Sequence, residues 1–136
     1  MSKRELIAKE IEALGKEGAE IAIAFQAKKN SPEFSFAYQS WYTKALRVVS
    51  SLAPDRSLEF RSYYEINPNR KVLGYGTYVI QDFLKGVAPN DLVYENFDTR
   101  RQVMICLTNQ LAIFTAIRDR LNSILGDIEG ELFAEL

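Results

Sequence analysis

The chain contains no histidine. That removes the side chain that most often acts as a general base near neutral pH, the imidazole metal ligand, and every triad built on it. It has a single cysteine, Cys106, so no disulfide can close within the chain, and a reducing cytoplasmic setting is expected. No apolar run approaches the roughly 18 residues of a membrane-spanning helix. The best, residues 111–117, stops at Arg118, so no membrane partner is expected. Acidic residues follow Met1-Ser2-Lys3-Arg4 too soon for a signal peptide. No stretch alternates apolar and polar residues with the period of a strand. Prolines are scarce, and three of the four (Pro54, Pro68 and Pro89) fall between periodic segments, where they act as punctuation.

What is present is helical periodicity. At 136 residues the chain fits one domain able to bury a core without staples. In the first segment, residues 3–28, Ile7, Ile11, Leu14, Gly18, Ile21 and Phe25 recur at spacings of three and four, which predicts a helix with an apolar seam. Gly18 lies in that seam, where a missing side chain permits close approach or marks a bend. Ser31-Pro32-Glu33 is a helix start, and the helix should run to about Ala53 on a seam of Phe34, Tyr38, Trp41, Ala45, Val48 and Leu52. Tyr42, Leu46 and Val49 widen that stripe, as in a helix buried on more than one side. A short helix from Asp55 or Arg56 to Tyr64 is expected to bury Leu58, Phe60 and Tyr63 or Tyr64. A second short one should cover 77–85 and end at Gly86 as a left-handed cap. The last helix, capped by Asp98, should run from Thr99 nearly to the end on Met104, Leu107, Leu111, Phe114, Leu121, Leu125, Ile128 and Leu132. The fold class is therefore all-α, a bundle of three long helices with one or two short ones, and residues 1–136 form a single helical-bundle domain.

Candidate reactive groups are weak. Gly74-Tyr75-Gly76 lacks the preceding strand and third glycine of a dinucleotide loop and reads as a turn. Asp127, Glu131 and Glu135 share a helical face, but bundle metal sites complete such sets with histidine, so a solvated acidic face is expected. Cys106 sits inside Val103-Met104-Ile105-Cys106-Leu107 with no base at hand and reads as a small buried apolar residue. No catalytic residue, cofactor site or metal site is assigned.

The stretch 38–49 (Tyr38-Gln39-Ser40-Trp41-Tyr42-Thr43-Lys44-Ala45-Leu46-Arg47-Val48-Val49) resembles the start of a group of bacterial proteins with no established activity. Pro54-Asp55-Arg56 with Phe60 and Tyr64, then Asn69-Arg70-Lys71, Tyr75 and residues 78–86, follow in the same order. Asp127-Ile128 and Leu132-Phe133 match its end. The resemblance covers about residues 34–133. It implies an N-terminal helical region of a longer protein, or a short form of one. The region that often follows is similar to the HEPN class of bundles found in bacterial defence and toxin–antitoxin systems. HEPN ribonucleases use an arginine followed a few residues on by histidine. With no histidine that motif does not carry over, so the resemblance implies an accessory region rather than a nuclease.

Two readings of function follow. The leading one is a non-catalytic domain for protein association, with a second copy or a partner helical domain, because three long helices with broad apolar faces can exceed what one bundle buries. The expected association surface is Ile11, Ile21 and Phe25 on the first helix, and Leu121, Leu125 and Ile128 on the last. The alternative is a nucleic-acid-binding accessory domain. Between Lys44 and Lys85 bases outnumber acids seven to four, whereas residues 121–136 hold four acids and no base. Arg56, Arg61, Arg70 and Lys71 interleave with Tyr63, Tyr75 and Tyr78, a pattern suited to phosphate contact and base stacking. The net charge of −1 weighs against that alternative.

Overall fold

The Ser2 hydroxyl accepts the Glu5 N–H at 3.2 Å and starts the first helix, α1 (Lys3–Gln26). The computed structural model describes residues 2–27 and 31–135, with side-chain surroundings for 2–27 and 33–123. The second helix, α2 (Ser31–Leu52), ends before Pro54, which opens a single 3-10 turn, Pro54–Arg56. Two short helices follow, α3 (Ser57–Ser62) and α4 (Ile80–Leu84), and then the long α5 (Thr99–Glu135). The molecule is all-α, with no strand among the described residues.

α1 and α2 run antiparallel: the Phe25 ring packs tilted against Phe34 with ring centroids 4.4 Å apart, Lys44 pairs with Glu17 at 3.1 Å, and the Trp41 indole N–H donates to the Leu14 carbonyl at 2.8 Å. Gly18 makes that last contact attainable. A Cβ there would lie 2.6 Å from Leu111 Cδ2 and 2.8 Å from the Trp41 ring, so its absence lets three helices meet at one point. Gly18 is thus a site of close approach. α5 returns antiparallel to α1. At one end Arg100 lies over the Phe25 ring at 3.9 Å and donates to the Phe25 carbonyl, and at the other Arg118 reaches Glu12 at 3.6 Å.

The core is aromatic. Tyr38, Trp41, Phe60 and Phe114 are fully enclosed, and burial of a side chain this large contributes about 2–3 kcal/mol. Polar groups lie inside as well. The Tyr38 hydroxyl donates to Gln110 Oε1 at 2.7 Å, and Gln110 Nε2 donates to the Phe60 carbonyl at 3.0 Å, tying α2, α5 and α3 together. The segment between α2 and α5 packs against these two helices as a lid of short pieces. The first N–H groups of α4 find carbonyls just past the end of α3: Ile80 N–H donates to Tyr63 O and Gln81 N–H to Tyr64 O.

Three expectations need correction. Leu58 is 76% exposed, because it sits two residues from Phe60 and so on the opposite side of α3; the buried face is Phe60 with Tyr63 and Tyr64 half-buried. The helix expected over 77–85 begins only at Ile80. Thr77 is held in a turn, its hydroxyl accepting the Gly74 N–H and lying within hydrogen-bond reach of the Val72 and Gly74 carbonyls, while Val79 is extended. Ile11, Ile21 and Phe25 are buried in the chain's own core and do not form a free association surface. Gly86, at φ +73°, takes the left-handed conformation expected after α4.

Candidate association surface

Both long seams run out at the same end of the bundle. Ile7 is 47% exposed and Leu52 is 38% exposed, although their periodicity matches the residues that fill the core. Between them, α1 and α2 leave a shallow groove on their outer side. One depression of about 830 Å³ is lined by Ile7, Leu14, Val48 and Leu52 with Glu10, Lys44 and Arg47 on its rims. It meets a second, of about 260 Å³, at Glu17; there Ile21, Phe25 and Phe34 supply the floor and Glu20 and Glu33 the edges. Every lining residue of both belongs to α1 or α2. Ile11, Ile21 and Phe25 therefore touch the groove only as its floor.

The walls differ in charge. From α1 come Glu10, Glu17 and Glu20; from α2 come Lys44 and Arg47, with Glu33 at the far end. Glu17 and Lys44 already pair across the middle, while neither Glu10 nor Arg47 forms an ion pair among the described residues. Sequence periodicity did not single out this charged frame, because it ranks apolar positions and treats rim charges as solvated. Of the last-helix candidates, Leu121 is half-buried against the core. The side chains of Leu125 and Ile128 lie outside the described residues, as do those of Asp127, Glu131 and Glu135.

The basic–aromatic stretch is largely used up inside the fold. Arg70 forms a two-pronged ion pair with Asp82, at 2.7 and 2.8 Å, and also donates to Thr77 O. Asp82 has no exposed surface and also accepts the Val79 N–H, one half of a capping box for α4. Contact with Asp82 holds the Arg70 guanidinium even more firmly protonated than usual. Arg56 pairs with Glu59 and Arg61 with Glu65. Tyr78 is buried and donates to the Val87 carbonyl at 2.7 Å; burial pushes its phenol up to about 12. Tyr63 is half-buried and donates to Glu59, while Tyr75 leans on Phe97 with centroids 4.7 Å apart. Lys71 is exposed. Arg61 and Arg70 do share a depression of about 450 Å³ with Leu58 and Thr77, but neither Tyr63 nor Tyr75 lines it. The expected stacking platform is therefore not assembled around those arginines.

No reactive constellation emerges elsewhere among the described residues. Cys106 is buried, its Sγ 3.8 Å from the Tyr78 carbonyl, and burial pushes its thiol up to about 11, away from a nucleophilic thiolate. The buried Tyr42 hydroxyl has no hydrogen-bond partner among the described groups, and burial raises its phenol above the ordinary range. No cluster of potential metal ligands occurs among the described residues. No described helix is long and apolar enough to cross a membrane. A second apolar exposure is the turn at Asn90, whose side chain accepts the Leu92 N–H and whose carbonyl accepts from Val93 and Tyr94; it leaves Leu92 94% exposed. No family model, curated protein or solved structure matches the chain.

Proposed function

We propose that the chain is a non-catalytic helical domain whose work is association with another helical surface, first of all a second copy of itself, in a reducing cytoplasmic compartment. The observation that carries this reading is the open α1–α2 groove, where seam residues Ile7 and Leu52 remain in water at the end of otherwise buried stripes. Surplus apolar surface of this kind is ordinarily covered by a partner. The interior supports the non-catalytic half of the proposal: Asp82 is neutralised by Arg70, Tyr38 is spent on Gln110, and Cys106 is kept as a thiol. The likeness of residues 34–133 to accessory helical regions accords with it. Nucleic-acid binding is less well supported, because Arg56, Arg61 and Arg70 each already face a carboxylate.

Sedimentation equilibrium or light scattering at two concentrations tests the reading. A mass above 15.5 kDa that grows with concentration is expected, and Ile7→Asp or Leu52→Asp should return the chain to a single 15.5 kDa species. A wild-type mass that stays at 15.5 kDa across the range defeats it.

A further inference from the structure

We infer that two copies pair through the α1–α2 groove about a twofold axis parallel to these helices, so that α1 of each copy lies over α2 of its partner and Glu10 of each meets Arg47 of the other. This rests on the reading of the groove as an association surface and adds the occupant's orientation.

The argument begins with symmetry. A twofold dimer presents the same patch from both sides, so the patch must complement itself. With roughly parallel helices only two twofold axes lie in the plane of the face. An axis across the helices lays α1 on α1 and α2 on α2. That sets the wall of Glu10, Glu17 and Glu20 against its own copy and puts Lys44 and Arg47 together. Like charges facing across an interface are strongly disfavoured. An axis along the helices exchanges the walls: the glutamates of α1 face the bases of the partner's α2. Heights along the axis are conserved by this rotation, so each residue meets whatever lies beside it in its own chain. The contacts of Leu14 with Trp41 and of Glu17 with Lys44 fix that register and place Glu10 level with Arg47. The existing Glu17–Lys44 pair sits mid-groove, where two copies make a ring of alternating charge. Glu33 stands level with the Phe25 end of α1, beyond the acidic wall. Each of the four helices then has antiparallel neighbours, as in a four-helix bundle.

The size also suits a dimer. The groove runs from Ile7 to Phe25, about 27 Å at 1.5 Å per residue. Two adjacent helices make it roughly 20 Å wide, which gives on the order of 1,000 Å² buried over both copies, the lower bound of a specific interface. Ile7, Leu14, Val48 and Leu52 form its apolar centre line and the charges its rim.

Charge reversal tests the arrangement, because both substituted positions are exposed and leave the core untouched. Glu10→Arg and Arg47→Glu should each weaken the dimer by on the order of tenfold, since each places two repulsive contacts in one interface, and the double variant should recover most of that loss. A second measurement uses cysteine. A mixture of Glu10→Cys and Arg47→Cys chains should cross-link under mild oxidation to a heterodimer, while Glu10→Cys alone should not; buried Cys106 does not compete. Dimers insensitive to the single reversals, or not rescued by the double one, overturn this orientation and leave self-association standing. A wild-type chain that is monomeric throughout overturns both.

Discussion

Arg70 and Asp82 form the least exposed ion pair among the described residues. A carboxylate with no exposed surface is tolerable only because two guanidinium N–H groups and the Val79 N–H satisfy it. Removing the cation leaves the anion buried and alone. Arg70→Ala is therefore expected to destabilise the fold by about 3–5 kcal/mol, read as a lower urea midpoint. Were Arg70 a free ligand-binding residue, the same substitution would leave the midpoint unchanged. The residue was conspicuous in the sequence as a base among tyrosines. Its structural role was hidden because its partner lies twelve residues away across a turn that no periodic pattern describes. Gln110 shows the same blindness: a glutamine inside an apolar stripe looks like an interruption, yet it closes the hydrogen bonds of Tyr38 and Phe60.

Among the helices, α1 offers a paired test at two glycines three residues apart. A Cβ on Gly15 would meet Phe114 at 3.7 Å, an ordinary contact, so Gly15→Ala should gain helix propensity and stabilise by up to about 1 kcal/mol. A Cβ on Gly18 would stand inside Trp41 and Leu111, and Trp41 is held by its hydrogen bond to Leu14. Gly18→Ala should therefore destabilise by about 1–3 kcal/mol despite the same gain in propensity. Thermal melts of the two variants should shift in opposite directions; a common direction would show that α1 does not meet α2 and α5 at this point. The long helices were legible because their seams repeat over five or more turns. The short pieces were legible only in outline, since one or two turns leave the choice of face open, as Leu58 shows.

For the whole molecule, alkaline pH probes the enclosed interior. Burial raises the thiol of Cys106 and the phenols of Tyr38, Tyr42 and Tyr78. A group whose folded pKa lies above its unfolded value stays neutral in the fold while the unfolded chain ionises first. Its stabilisation is whole below the unfolded pKa and is lost as pH rises through the folded one. With an unfolded thiol at 9.0 and a folded one at about 11, and the Tyr78 phenol moving from 10.0 to about 12 while those of Tyr38 and Tyr42 are raised as well, stability should be level up to pH 9 and fall through pH 11 and 12. Denaturant midpoints at pH 7, 9.5 and 11 check this, and Cys106→Ala should flatten the earliest part of the decline. A midpoint that does not change with pH would mean that these side chains are wet in the native state. The sequence by itself determined the helical class, the three long rods, the break after the second at Pro54, the stop of the short α4 at Gly86, and the absence of imidazole chemistry, because each follows from local period and residue type. Only the tertiary structure decided which apolar residues are spent inside and which remain in water, and which charges are already answered. Those outcomes depend on how helices distant in sequence lie against one another: Ile11 and Ile7 belong to one seam, but the packed bundle encloses the first and leaves the second open.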